Sequence, residues 1–148
     1  MKHQVSKDIV VAGLITDEAG KGLIFRPTHK EGWVFSRGYL EGGEAPSAAF
    51  RREIQAELGV SPNETQRLLS IDYRGVPDEY VMFIFDGGTF SADMVAQIKL
   101  PPTLLEYRFV TPEEALALLR ANSARRLMPT LESRQRTGVA YLEHQVSL

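Results

Sequence analysis

The chain has 148 residues, with 17 Lys and Arg against 19 Asp and Glu and a formal net charge of −2. That length suffices for one domain with a real core, and the charge balance excludes the broad basic face that duplex nucleic acid requires. There is no cysteine, so disulfides, zinc–thiolate sites and cysteine nucleophiles are excluded too.

Lys2 and His3 precede the first apolar run, Ile9 to Ile15, which Asp17 and Glu18 end. The run is too short to cross a membrane and lacks a signal-cleavage pattern, so a reducing, cytoplasmic setting is expected. Its β-branched residues read as a buried strand. Asp17-Glu18-Ala19-Gly20 then reads as a turn into a second strand, Gly22 to Phe25, which makes a hairpin. Residues 27–47 carry Pro27, Gly32, Gly38, Gly42, Gly43 and Pro46 and read as loop, with a short strand at Trp33-Val34-Phe35.

A helix is predicted from Pro46 to Leu58, with Pro46 in its first turn and Gly59 as its stop. Three extended runs are expected: Arg67 to Tyr73, Glu79 to Asp86 (closed by Gly87-Gly88) and Tyr107 to Val110. Thr111-Pro112-Glu113-Glu114 is a helix start leading into Ala115 to Leu119. Ala124, Leu127, Met128 and Leu131 share a face of a last helical stretch that Pro129 should kink or divide, and an extended tail runs from Val139 to Leu142. With no repeat and no linker, this order predicts one mixed α/β layered domain over residues 1–148.

On the 46–58 helix, Phe50, Ile54 and Leu58 form an apolar strip, and Ala45, Ala49 and Ala56 form a small-residue strip. Glu53 and Glu57 fall between the two, while Arg51, Arg52 and Gln55 fall on the solvent side. Carboxylates one turn apart against a core repel each other and lose hydration. A hard divalent cation, Mg2+ or Mn2+, relieves both effects, and such a cluster beside a glycine-rich loop suits phosphoryl chemistry. Spacing alone leaves a second reading equally open, in which both glutamates are solvated or paired with Arg51 or other cations.

The segment Gly38 to Val60, GYLEGGEAPSAAFRREIQAELGV, resembles the Nudix box. Gly38, Glu44, Arg52, Glu53, Ile54, Glu57, Gly59 and Val60 match in register, eight of nine specified positions. The resemblance continues more loosely through the flanking strands and Glu106-Tyr107-Arg108-Phe109-Val110. It implies a Nudix-type α/β/α sandwich with a mixed sheet.

By the same resemblance, Glu53 and Glu57 would ligate the metal, and Glu53 would also orient or deprotonate the attacking water. Arg52 would hold loop and helix together. Glu44 would support the ligands or join them, and a carbonyl at Arg37 or Gly38 would complete the coordination. The family's chemistry is attack of water on a phosphorus of a diphosphate, commonly one attached to a nucleoside. Ala56 departs from the pattern by replacing the first glutamate of a pair, which removes one negative charge from the cluster. Arg37 stands where a second glycine is common.

Further candidates are weighed beside plainer roles. Glu106 could be an extra ligand or the base, or an exposed loop residue. Arg26, at a strand end, could reach a phosphate, although solvation is the commoner fate. Trp33 and Phe35 read as core or loop anchors, and Tyr73, Asp78 and Tyr80 could border a pocket. His3, His29 and His144 show no metal-ligand spacing. Arg120, Arg125, Arg126, Arg134 and Arg136 read as a solvated helix face, with attraction of an anionic substrate as the second choice.

The expected function is metal-dependent hydrolysis of a diphosphate in a nucleotide or nucleotide-linked metabolite. Alternatives are a Nudix-fold binding or regulatory module and a hydrolase of a non-nucleotide, such as prenyl, diphosphate. The expected partner is a small phosphorylated substrate, with neither duplex nucleic acid nor membrane involved, and a homodimer is compatible with the sequence.

Overall fold

The computed structural model describes residues 4, 6–61, 67–143 and, in backbone only, 146–147. The described strands are β1 (Asp8–Asp17), β2 (Gly22–Pro27), β3 (Ser36–Tyr39), β4 (Leu68–Arg74), β5 (Tyr80–Phe90), β6 (Leu104–Val110), β7 (Ala140–Glu143) and β8 (Val146–Ser147). The described helices are α1 (Pro46–Leu58), α2 (Ala92–Ala96), α3 (Pro112–Leu118) and α4 (Ala121–Gln135). The strands form one mixed sheet in the order β6-β2-β1-β5-β4-β7-β8, with β3 paired to β1.

Alternation along the central strands sorts the core into two layers. Val11 and Ile15 of β1 and Phe85 of β5 join Phe50, Ile54 and Leu58 of α1 in one cluster. Val10 and Ala12 of β1 and Met82 and Ile84 of β5 form another cluster. Ala12, Met82 and Ile84 lie beside Ser123 and Leu127 of α4. The sheet is thus covered by helices on both faces, an α/β/α sandwich. Phe50, Ile54 and Leu58 are fully buried, each stabilising by about 1.5–3 kcal/mol.

One edge of β1 is divided. Val10 to Gly13 pair antiparallel with β3, whereas Thr16 pairs with Gly22 of β2, and β2 then turns to pair with β6. The chain between β2 and β3 therefore leaves the sheet, and a cleft opens between β3 and the β2–β6 pair.

Several expectations are corrected. The strand expected at Trp33-Val34-Phe35 is reduced to isolated bridges, Phe25 to Val34 and Trp33 to Leu119, and the true strand is Ser36–Tyr39. Gly87-Gly88 does not close β5. The register shifts there, with Leu14 facing Asp86 and Ile15 facing Gly88, so the glycines form a bulge inside a strand that runs to Phe90. Helix α2, capped by Ser91, was not anticipated.

Pro129 does not divide α4, which is continuous over 15 residues. Met128 lies outside the buried face, and Arg126, far from being solvated, is 4 % exposed. Its guanidinium donates to fully buried Asp72 at 2.7 Å and also to the Tyr80 hydroxyl, while Ser70 and Thr130 share a hydrogen bond of 2.8 Å. These pairs lock α4 to β4. His3 and His144 lie outside the described residues.

Candidate active site

Strand β3 and helix α1 build the site between them. Period-two alternation turns Ser36 and Gly38 to the same side of β3, towards α1. A Cβ added at Gly38 would overlap the Glu53 side chain, so the absence of one lets the carboxylate lie against the strand. The buried Ser36 hydroxyl donates to a Glu57 carboxylate oxygen.

Arg52 bolts the intervening loop to the helix. Its Nε and Nη2 donate to the Glu44 carboxylate at 2.8 and 3.0 Å, Nη2 to the Tyr39 carbonyl at 2.8 Å, and Nη1 to Glu53 at 2.7 Å. Glu41 adds an ion pair at 3.6 Å. This corrects the helical wheel, which put Arg52 on the solvent side; it is half-buried over the loop. The wheel also failed at Ala45 and Ala56, which are exposed rather than part of an inward strip.

The electrostatics separate the three glutamates. The Glu44 carboxylate accepts from Arg52 and from the Glu41 amide, and those bonds hold it below the usual carboxyl range. Glu53 lies against the Arg52 guanidinium at 2.7 Å. Glu57, with its carboxyl reaching inward to a buried hydroxyl, is pushed up to about 8 by burial, opposed by the Ser36 bond and reinforced by the neighbouring Glu53 charge.

A divalent cation fits the donors present. Glu57 is a desolvated carboxyl facing a second carboxylate, with a neutral hydroxyl as its hydrogen-bond partner. Hard oxygen ligands crowded in that way favour Mg2+ or Mn2+. Among the described residues, however, no three His, Cys, Asp or Glu side chains converge on one point. Glu44 is directed to Arg52, so the side-chain donors reduce to Glu53 and Glu57.

The two glutamates open on a cleft of about 460 Å³ whose other walls include His29, Lys30, Val34, Arg37, Gly38, Tyr39, Thr103 and Leu104. Arg37, pointing opposite to Ser36 and Gly38, also reaches the α4 side of the sheet beside Ser123 and Arg126. Arg26 and Glu106 do not join this wall. They face each other across β2 and β6 in an ion pair of 2.9 Å, with Arg108 at 3.8 Å, so Glu106 sits in a strand and not in the expected loop. Trp33 is buried, as expected of an anchor, under the Arg108 guanidinium.

Ser36, Lys30 and Tyr39 escaped the sequence reading. Ser36 was accessible in principle, because it lies two residues before Gly38. Tyr39, 58 % exposed at the rim, had no such signal.

The model of the NUDIX domain matches residues 6–131. Among solved structures, the chain is similar to a UDP-X diphosphatase (16 % identity, 95 % of this chain and 69 % of that one, TM-score 0.76). It is also similar to an ADP-ribose pyrophosphatase from Streptococcus suis (14 %, 93 % and 99 %, TM-score 0.72). A third similar structure is the MutT protein from Methanosarcina mazei Go1 (23 %, 89 % and 97 %, TM-score 0.66). No curated protein sequence matches the chain. Among the described residues no helix is long and apolar enough to cross a membrane.

Proposed function

Because the chain belongs to the NUDIX domain family, we propose that it hydrolyses a diphosphate bond in a nucleotide or nucleoside-diphosphate-linked metabolite, using Mg2+ or Mn2+ held by Glu53 and Glu57. The observation that carries this reading is the desolvated Glu57 carboxyl beside Glu53, a pair that no cationic side chain among the described residues neutralises on the Glu57 side. The similar structures named as a UDP-X diphosphatase and an ADP-ribose pyrophosphatase support the substrate class.

Held by Glu53 and Glu57, a divalent cation would neutralise charge on the diphosphate and acidify water. The protein's own residues do the rest. Glu53, steered by Arg52 at 2.7 Å, orients the attacking water and accepts its proton. Arg52 fixes that carboxylate and the 39–44 loop together, and Glu44 acts through Arg52. A carbonyl at Arg37 or Gly38 would complete the coordination, and the cleft beside Glu53 and Glu57 would hold the scissile diphosphate. Glu106 would have to release Arg26 before it could serve as a base.

The test is phosphate or nucleoside monophosphate release with and without added Mg2+ or Mn2+. Glu57→Gln should reduce it by about a hundredfold or more. Undiminished release would exclude the metal role.

Ala56 favours a second reading, a module that binds without turnover, because the box places a glutamate there. Its exposure at the edge of the pair means that a carboxylate could be restored without repacking. Ala56→Glu should add a site or tighten metal binding in calorimetry. A pure binder would shift its melting temperature with nucleotide and release no product over hours.

A further inference from the structure

Lys30, Arg37 and Arg120 line a second cleft of about 180 Å³ together with Val34, Asp78 and Ser123. None of the three cations has an ion-pair partner among the described residues. The acid in the wall, Asp78, is taken by Arg74 at 2.5 Å. Arg37, then burial, then Arg120 hold the Lys30 ammonium below the usual lysine range, which places the three charges within electrostatic reach of one another.

The backbone adds to the same sign. Arg120 is the N-cap of the 15-residue α4, with no side-chain cap bond and no acid in the first turn. An arginine at that position is locally unfavourable, since a helix N-terminus carries partial positive charge and prefers Ser, Thr, Asp or Asn as its cap. Arg120 is nonetheless held there: its amide donates to the Trp33 carbonyl at 3.0 Å, and its stem packs over Gly32. Mutually repelling cations kept in place by the fold await an anion.

This second cleft shares Lys30, Val34 and Arg37 with the cleft of Glu53 and Glu57. Strand β3 has β1 as its strand neighbour, and the three shared residues set the two clefts side by side. We propose that Lys30, Arg37 and Arg120 form a subsite for a phosphate group remote from the scissile diphosphate, making the preferred substrate one that carries an additional phosphomonoester. The proposal rests on the hydrolase reading for its kinetic consequence but not for the subsite itself.

The experiment has two arms. In EDTA, calorimetric titration with inorganic phosphate should show saturable, salt-sensitive binding to the wild-type chain. Arg120→Ala and Lys30→Gln should each weaken it about tenfold, and Glu57→Gln should leave it intact. A featureless titration, or equal binding by Arg120→Ala, overturns the subsite.

In the second arm, with Mg2+, a nicotinamide dinucleotide with and without its 2′-phosphate is compared by kcat/KM. The phosphorylated member should be preferred, and Arg120→Ala should erode that preference by lowering its kcat/KM more than that of the unphosphorylated member. Equal preference in both proteins counts against the proposal. Arg120-dependent phosphate binding without turnover of any diphosphate would instead remove the hydrolase reading and leave the subsite standing.

Discussion

Gly38 lacks a side chain where Glu53 needs room, and this single absence brings a helix carboxylate against a strand backbone. Gly38→Ala should therefore push Glu53 out of line while leaving most of the core untouched. Local overpacking of this kind costs about 1–3 kcal/mol, and a carboxylate displaced by about an ångström can cost a hundredfold in rate. The expected outcome is a modest fall in melting temperature with a disproportionate loss of kcat. Unchanged kcat would show that the position of Glu53 is not critical. At this scale the sequence made legible which residues a fixed spacing brings together: Gly38, Arg52, Glu53 and Glu57. It was not legible for Lys30 and Arg120, which are 90 residues apart in number and meet only because Trp33 pairs with Leu119 across the fold.

At the scale of elements, the 3.6-residue period found the Phe50, Ile54 and Leu58 strip because those residues are large and apolar. It failed for Ala45 and Ala56, whose small side chains say little about which way they face. The strand near residue 35 was misplaced because β3 is defined by its partner on β1, a tertiary fact that local composition does not contain. Helix α4 was misread for a similar reason: its inward face is polar, with Ser123, Arg126, Thr130 and Ser133 all buried. That face depends on Asp72. Asp72→Ala should strand the Arg126 charge at 2.7 Å from a missing partner and destabilise the chain by about 3–5 kcal/mol. Asp72→Asn, which keeps an acceptor, should cost less. Urea unfolding measures both, and equal midpoints for wild type and Asp72→Ala would show that α4 is held mainly by its apolar contacts.

Across the whole molecule, the metal role proposed for Glu57 would link cation binding to folding and protonation. Its ordinary carboxyl value of 4.5 is raised to about 8 in the fold. Below 4.5 both folded and unfolded chains carry the proton, and the group leaves stability unchanged. As pH rises from there, the unfolded chain ionises while the folded one does not, so stability is lost progressively until the folded carboxyl itself ionises near 8. A divalent cation held by Glu57 would bind the ionised form, so below about 8 it would have to displace that proton, and the metal-free penalty is what it would relieve. The melting temperature in EDTA should then fall between pH 5 and pH 8 more steeply for the wild-type chain than for Glu57→Gln, which should be the more stable protein at pH 8. Added Mg2+ should raise the wild-type value more at pH 8 than at pH 6, and calorimetry in buffers of different ionisation enthalpy should record about one proton released per site at pH 6.5 and almost none well above pH 8. If Glu57→Gln instead melts lower than wild type in EDTA at pH 8, the buried carboxylate is stabilised by the protein alone, and the reason for a cation to sit there disappears.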